Sequence, residues 1–164
     1  MDNNAKRAIN ELKYADEDRK FMTISIDFDA TSVSHNYPYV GEDLPECVET
    51  LKRWHDLYDV QYILNTMRSG KELEDAVNWF REKEIPLFGI QKHPTQHTWT
   101  DSPKCHARWN IDDRDALMVL TTDEKGIPCV DWGELRKRFE PTLKAVYEVL
   151  KEQYKKEDRR NLPF

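Results

Sequence analysis

The chain has 164 residues, of which 34% are charged and 38% hydrophobic, and its formal net charge is −6 at pH 7. This length supports a single domain over residues 1–164, and the acidic balance argues against a protein that coats nucleic acid nonspecifically. No apolar run is long enough to span a bilayer, and the first residues lack the apolar segment of a signal peptide. A cytoplasmic protein is therefore expected, and its three cysteines fit reduced thiols.

The first half of the chain alternates between helix and strand patterns. Residues 2–15 carry apolar side chains at helical spacing, and residues 21–26 form an apolar, β-branched run typical of a buried strand. Residues 32–43 are too polar for a core and predict a loop. The sequence then predicts a helix over 44–58, a strand over 60–64, and a helix with Leu73, Ala76, Val77 and Phe80 on one face.

The second half continues the alternation with shorter elements. It predicts a strand at 86–90, a loop at 91–103, strands at 108–111 and 117–120, and turns at 121–131. A helix is predicted over 132–139, and a separate helix over 141–158 because proline is tolerated in a first turn. Strands that alternate with helices predict an α/β fold with a mostly parallel sheet and helices on both faces.

Side chains able to carry out chemistry follow three of the predicted strands. In chain order, these residues and a lysine between them are Asp27, Asp29, Thr31, Thr66, Lys104, Asp112 and Asp113. Taken singly, each is better explained by a polar turn, a strand-end hydroxyl, a surface lysine or a helix N-terminus. Ligands of parallel α/β sheets bind beyond the carboxyl ends of the strands, so the set as a whole predicts one site at that edge.

The charges of this set indicate what else the site needs. Four carboxylates brought together repel one another, which raises their pKa values unless positive charge compensates. Lys104 supplies one positive charge and a divalent cation would supply two. An all-oxygen set with few protein ligands suits Mg²⁺, and no His/Cys cluster of zinc-like spacing competes with it.

The order and spacing of these residues resemble the haloacid dehalogenase superfamily, whose members are mostly phosphatases. The family pattern is a strand that ends in Asp-x-Asp-x-Thr, a strand that ends in Ser or Thr, a Lys, and a strand that ends in an acidic pair. The resemblance covers about residues 22–140. It implies a three-layer αβα sandwich with a Rossmann-like sheet, and a Mg²⁺-dependent phosphatase that hydrolyses a phosphomonoester through an aspartyl-phosphate.

The resemblance also implies a role for each residue. Asp27 would be the nucleophile and Asp29 the general acid and base, while Thr66 and Lys104 would hold the transferred phosphoryl group. The expected Mg²⁺ ligands are Asp27, Asp112 and the backbone carbonyl of Asp29, with Asp113 nearby. Family members commonly have Gly where this chain has Ala30, and Ala adopts a positive φ only at some cost.

The intervals between these motifs leave no room for a cap domain, so the site is expected to be open. An open site favours a large or end-presented phosphate, and aromatic and basic loop residues favour a nucleotide or a phosphorylated nucleic-acid end. The candidate substrate contacts are Thr31, His35, Met67 and Arg68.

Two alternatives remain open at the level of sequence. One is a phosphate- or nucleotide-binding protein that kept the fold, turns over little and acts through a protein partner, for which Ala30 is the main support. The other concerns the end helices, 2–15 and 141–158, whose apolar stripes would join subunits of a homo-oligomer or would pack on each other within one chain.

Overall fold

The computed structural model describes residues 1–13 and 22–160, and of residues 154–160 the backbone alone. Four strands form a parallel sheet in the order β3-β2-β1-β4, and a separate antiparallel pair joins β5 and β6. The strands are β1 Met22–Ile26, β2 Val60–Leu64, β3 Leu87–Ile90, β4 Trp109–Ile111, β5 Leu120–Thr122 and β6 Pro128–Val130. The helices are α1 Asn3–Lys13, α2 Cys47–Tyr58, α3 Gly70–Glu82 and α4 Trp132–Arg160.

The protein is thus α/β, with a four-stranded parallel sheet flanked by helices, as the alternation predicts. The end of the first predicted helix and the start of the first predicted strand, within 14–21, lie outside the described residues. No helix in the described part of the chain is both long and apolar enough to cross a membrane.

Strand β1 lies inside the sheet and is buried along its whole length. Its central residue, Ile24, pairs with Tyr62 of β2 on one side and with Trp109 of β4 on the other. Because the three strands run parallel, their carboxyl ends meet at one edge of the sheet. The residues that follow β1 therefore lie between those that follow β2 and β4.

Helices α2 and α4 are joined through one carboxylate, Glu140 of α4. Arg53 donates two hydrogen bonds to Glu140 Oε1, over 3.0 Å from Nε and 2.7 Å from Nη2. Tyr58 donates its hydroxyl to the same oxygen over 3.0 Å, and Trp54 donates its indole N–H to Oε2 over 3.2 Å. Trp54 and Phe139 also contact edge to face, so polar and aromatic contacts together fix α4 on α2.

The predicted strand at 117–120 is wrong. Leu117 is 96% exposed, and extended pairing begins only at Leu120, which pairs with Val130. The segment predicted as turns, 121–131, is a hairpin closed by Asp123, whose Oδ1 accepts hydrogen bonds from two backbone N–H groups of the turn, 2.9 and 2.8 Å away. Residues typical of turns make up most of this stretch. Its two strands have only three residues each, which is too short for a recognisable alternation of apolar and polar side chains.

Two helix boundaries also differ from the sequence prediction. Helix α2 begins at Cys47 rather than at 44, because Glu46 takes a left-handed conformation with φ 63°. Helix α4 is continuous through Pro141, where two helices are predicted. A proline inside a helix costs about 3 kcal/mol, and burial of Leu135 before it and of Leu143 and Val146 after it offsets that cost.

The two end helices pack on each other within the chain. Helix α1 buries Ala5, Ala8 and Leu12, and the hydroxyl of Thr142 in α4 donates a hydrogen bond to the Asp2 carboxylate. The apolar stripe of α1 is therefore covered by the same polypeptide.

Candidate functional site

Three carboxylates meet beyond the ends of β1 and β4. Each of Asp27, Asp112 and Asp113 offers one carboxylate oxygen, and these three oxygens all lie within 4.8 Å of one another. The backbone brings them together, because Asp27 N donates a hydrogen bond to Ile111 O over 3.0 Å, one residue beyond β1. We call these three residues the acid cluster.

Thr31 connects two members of the acid cluster. Its hydroxyl donates to Asp27 Oδ2 over 3.3 Å and accepts a hydrogen bond from Asp113 N over 3.0 Å. The chain reaches this position through a tight turn in which the N–H groups of residues 31, 32 and 33 all donate to Phe28 O. Ser32 completes the turn by donating its hydroxyl to Asp27 O over 2.9 Å.

Ala30 lies within this turn in the left-handed conformation, with φ 57°. An alanine there is strained by the contact of its Cβ with the backbone, whereas glycine adopts this conformation freely. The carbonyl of Ala30 also accepts a hydrogen bond from Val130 N over 3.0 Å, which ties the turn to the β5–β6 hairpin.

The acid cluster concentrates negative charge in a partly buried place. Burial, followed by the charges of Asp112, Asp113 and Asp29, raises the pKa of Asp27 from 3.8 to about 7. Burial, followed by the charge of Asp112, also raises the pKa of Asp113. Among the described residues, none forms an ion pair with a member of the acid cluster.

The donor set of the acid cluster fits a hard divalent cation. Three carboxylates at mutual distances of a few ångströms supply oxygen ligands only, which is the kind of ligand that Mg²⁺ takes in proteins. Asp27, Asp112 and Asp113 are therefore the residues that could hold Mg²⁺.

Asp29 follows Asp27 by two residues, but its carboxylate is bound to Arg68. Arg68 Nε donates to Oδ2 and Nη2 donates to Oδ1, each over 2.7 Å. This bidentate pair is charge-assisted and largely buried, with side-chain exposures of 1% for Arg68 and 17% for Asp29. The sequence predicts Arg68 as a substrate contact. In the structure its guanidinium donates to Asp29 and to backbone carbonyls instead.

Thr66 lies beyond the end of β2, as the sequence predicts. The side-chain amide of Gln91 holds its backbone from both sides, because Gln91 Oε1 accepts from Thr66 N over 2.9 Å and Nε2 donates to Thr66 O over 2.6 Å. The hydroxyl oxygen of Thr66 accepts a hydrogen bond from Arg68 N over 3.3 Å, which leaves its O–H able to donate.

The remaining candidates are exposed in this structure. The side chain of Lys104 forms no ion pair with a described residue, and its backbone carbonyl accepts from Gln96 Nε2 over 2.7 Å. Met67 is 98% exposed, and His35 is exposed on the loop after β1. The structure therefore brings Asp27, Thr31, Asp112 and Asp113 together, and it does not bring Lys104 into contact with them.

Residues that sequence reasoning did not select also shape the site. Gln91 and Ser32 hold the backbones of Thr66 and Asp27, and Trp132 donates its indole N–H to Thr31 O over 2.7 Å. Gln91 follows β3 directly, so its place at the same edge as Thr66 is a usable signal. Trp132 gives no such signal, because 101 residues separate it from Thr31.

A cavity of about 600 Å³ lies between the loop after β1 and the β5–β6 hairpin, and none of its lining residues belongs to the acid cluster. Two of its lining carboxylates have structural partners. Asp131 Oδ1 accepts from Glu134 N at the start of α4, and Glu46 pairs with Arg136 over 2.6 Å. We therefore place the chemistry at the acid cluster and not in this cavity.

Comparison with known proteins adds a family but no activity. The structure is similar to a solved structure described as the conserved protein coded by a locus from Bacteroides thetaiotaomicron, with a TM-score of 0.60 and 35% sequence identity. The match covers 74% of this chain and 91% of that one, so the chain belongs to the same family as that conserved protein. No family model and no curated protein matches the chain.

Proposed function

We propose that this protein is a Mg²⁺-dependent phosphatase of the haloacid dehalogenase type, which hydrolyses a phosphomonoester through an aspartyl-phosphate on Asp27. The observation that carries the proposal is the convergence of the acid cluster at the carboxyl edge of the sheet, within 4.8 Å. The proposal includes a Rossmann-like three-layer arrangement without a cap domain, and a nucleotide or a phosphorylated nucleic-acid end as the first substrates to test.

The chain's own residues account for the proton and phosphoryl transfers. An ionised Asp27 oxygen attacks phosphorus as the bond to the leaving oxygen breaks, and Asp29 gives that oxygen a proton. A water molecule then attacks the phosphorus of the aspartyl-phosphate and gives its proton to Asp29, which restores Asp27 and releases phosphate. The hydroxyl of Thr66 donates to a phosphoryl oxygen. When bound, Mg²⁺ supplies positive charge to the phosphoryl oxygens.

One observation favours a second candidate, a phosphate- or nucleotide-binding protein with little turnover that acts through a protein partner. Lys104, the cation expected to hold the transferred phosphoryl group, is exposed and forms no ion pair with the acid cluster. A binder needs charge compensation only from its ligand and a metal, whereas efficient phosphoryl transfer draws on every nearby positive charge.

Phosphate release separates the two candidates. The wild-type chain is incubated with an aryl phosphate, nucleoside monophosphates and 3′- or 5′-phosphorylated oligonucleotides, with Mg²⁺ or with EDTA. The phosphatase proposal expects release that requires Mg²⁺ and that falls at least about 1,000-fold in Asp27→Asn. Asp75→Asn, which changes a partly exposed carboxylate paired with Lys71 in α3, is the matched control and should retain full activity. Tight phosphate binding without release would favour the binder.

A further inference from the structure

Arg68 is one of the largest fully buried side chains of the protein, although it carries a permanent charge. All three of its guanidinium nitrogens donate hydrogen bonds. Nε and Nη2 reach the two oxygens of Asp29 over 2.7 Å each, and Nη2 also reaches Tyr39 O over 2.8 Å. Nη1 donates to Pro38 O over 3.1 Å and to Glu72 O over 3.4 Å.

Aromatic rings complete the surroundings of this guanidinium. Its Cζ lies 4.9 Å from the centre of the Phe28 ring and 5.4 Å from that of Tyr37. The loop after β1 therefore contributes two carbonyls and one ring to Arg68, while the turn directly after β1 contributes Asp29 and Phe28. A guanidinium fits such a planar, bidentate and ring-flanked position, whereas a lysine ammonium cannot donate to both carboxylate oxygens as a fork.

We propose that Arg68 is a positioning residue for Asp29, and that it fixes the direction of that carboxylate by anchoring it to the loop segment 37–39. The inference rests on the proposed function, because it concerns the residue that passes the proton to the leaving oxygen. Each Asp29 oxygen accepts one Arg68 N–H, which leaves a second lone pair on each oxygen for a proton. Among the described residues, the guanidinium of Arg68 donates to Asp29 and to backbone carbonyls and not to Asp27, so we assign its effect to Asp29.

This assignment has a signature that a purely structural role would not produce. A leaving group that departs readily as an anion does not need a proton, whereas an alkoxide does. Loss of Arg68 should therefore lower kcat/KM mainly for substrates with poor leaving groups. This parameter covers the steps up to cleavage of the ester bond. The two substrates to compare are an alkyl phosphate and 2,4-dinitrophenyl phosphate, both with saturating Mg²⁺.

The test compares wild type, Arg68→Met, Arg68→Lys, Asp29→Asn and the double variant Asp29→Asn/Arg68→Met. Arg53→Met is the matched control, because Arg53 also donates to both oxygens of one carboxylate, over 3.1 Å from Nε to Glu140 Oε2 and 2.7 Å from Nη2 to Oε1, where α2 packs on α4. We expect Arg68→Met to lower kcat/KM at least about 100-fold on the alkyl phosphate and less than about 10-fold on the dinitrophenyl ester. Arg68→Lys should show the same contrast with smaller losses, and Arg53→Met no contrast.

The double variant provides a second, independent test, which is whether the two substitutions act additively. If Arg68 acts through Asp29, adding Arg68→Met to Asp29→Asn should cause no further loss. Equal losses on both esters, additive losses in the double variant, or unfolding of both Arg68 variants would overturn this inference while the phosphatase proposal stands. Absence of phosphate release by wild type on every ester would overturn the proposed function and this inference with it.

Discussion

Trp132 donates its indole N–H to the backbone oxygen of Thr31 over 2.7 Å, and this buried hydrogen bond joins the start of α4 to the turn that follows β1. Thr31 in turn contacts both Asp27 and Asp113. The first turn of α4 therefore helps to hold Thr31, and through Thr31 the acid cluster, in place.

Replacement of Trp132 should therefore cost more than replacement of another buried tryptophan. Trp132→Phe leaves the Thr31 carbonyl without this donor, whereas Trp109→Phe removes an indole N–H that has no partner among the described residues. We expect Trp132→Phe to lower the free energy of unfolding by about 1–2 kcal/mol more than Trp109→Phe. Urea unfolding of the two variants checks this, and equal losses would contradict the supporting role of Trp132.

Replacement of Ala30 by glycine should change the free energy of unfolding in the direction opposite to that usual for Ala→Gly. Ala→Gly normally destabilises a protein, but at φ 57° glycine relieves the strain of the left-handed conformation. We expect Ala30→Gly to raise the free energy of unfolding by up to about 1 kcal/mol. Ala145→Gly, within α4, is the control and should lower it by about 1 kcal/mol. A loss in both variants would show that Ala30 is not strained.

The pKa of Asp27 gives the metal-free protein a pH-dependent stability. Since this pKa is about 7 in the folded protein and 3.8 ordinarily, the folded state holds a proton between those values that the unfolded state releases. The contribution of Asp27 is therefore fully present below its ordinary pKa of 3.8, and it is lost as the pH rises from there through about 7. Asp27→Asn removes this dependence.

In EDTA at pH 8, Asp27→Asn should accordingly be more stable than wild type by on the order of a few kcal/mol, and near pH 4 the two should be equal. Urea unfolding at the two pH values measures the difference. Asp75→Asn should show no such gain at pH 8, because its carboxylate is partly exposed and paired with Lys71. A constant difference between Asp27→Asn and wild type at both pH values would count against the raised pKa.

The sheet could be predicted from sequence because its strands carry strong patterns. The strand predicted over 60–64 matches β2, and the strands predicted at 86–90 and 108–111 differ from β3 and β4 by one residue at the amino end. The position of Asp27 and Asp112 at the same edge follows from parallel strands alone. The prediction that a new helix starts at Pro141 is wrong. It takes account of the missing backbone N–H of proline, but not of the core contacts that α4 makes on either side of this residue.

The contacts of Arg68 could not be predicted from sequence either, because they also depend on residues that are distant along the chain. An arginine just after a strand is typical of an exposed loop or of a phosphate contact, and its partner Asp29 lies 39 residues away. Only the folded backbone shows that the loop after β1 turns its carbonyls toward the guanidinium. Lys104 shows the converse, since its spacing matches a family pattern while its side chain forms no ion pair or hydrogen bond with another described residue.

The central claim is that Asp27 carries the phosphoryl group during turnover, and acid quenching followed by peptide mass mapping tests it most directly. Wild-type protein is mixed with a reactive aryl phosphate and Mg²⁺, quenched within milliseconds to seconds, digested and analysed. We predict one added phosphoryl group on the peptide that contains Asp27, absent in EDTA and absent in Asp27→Asn. Phosphate release by Asp27→Asn at the wild-type rate, or a phosphoryl group on another residue, would contradict the account.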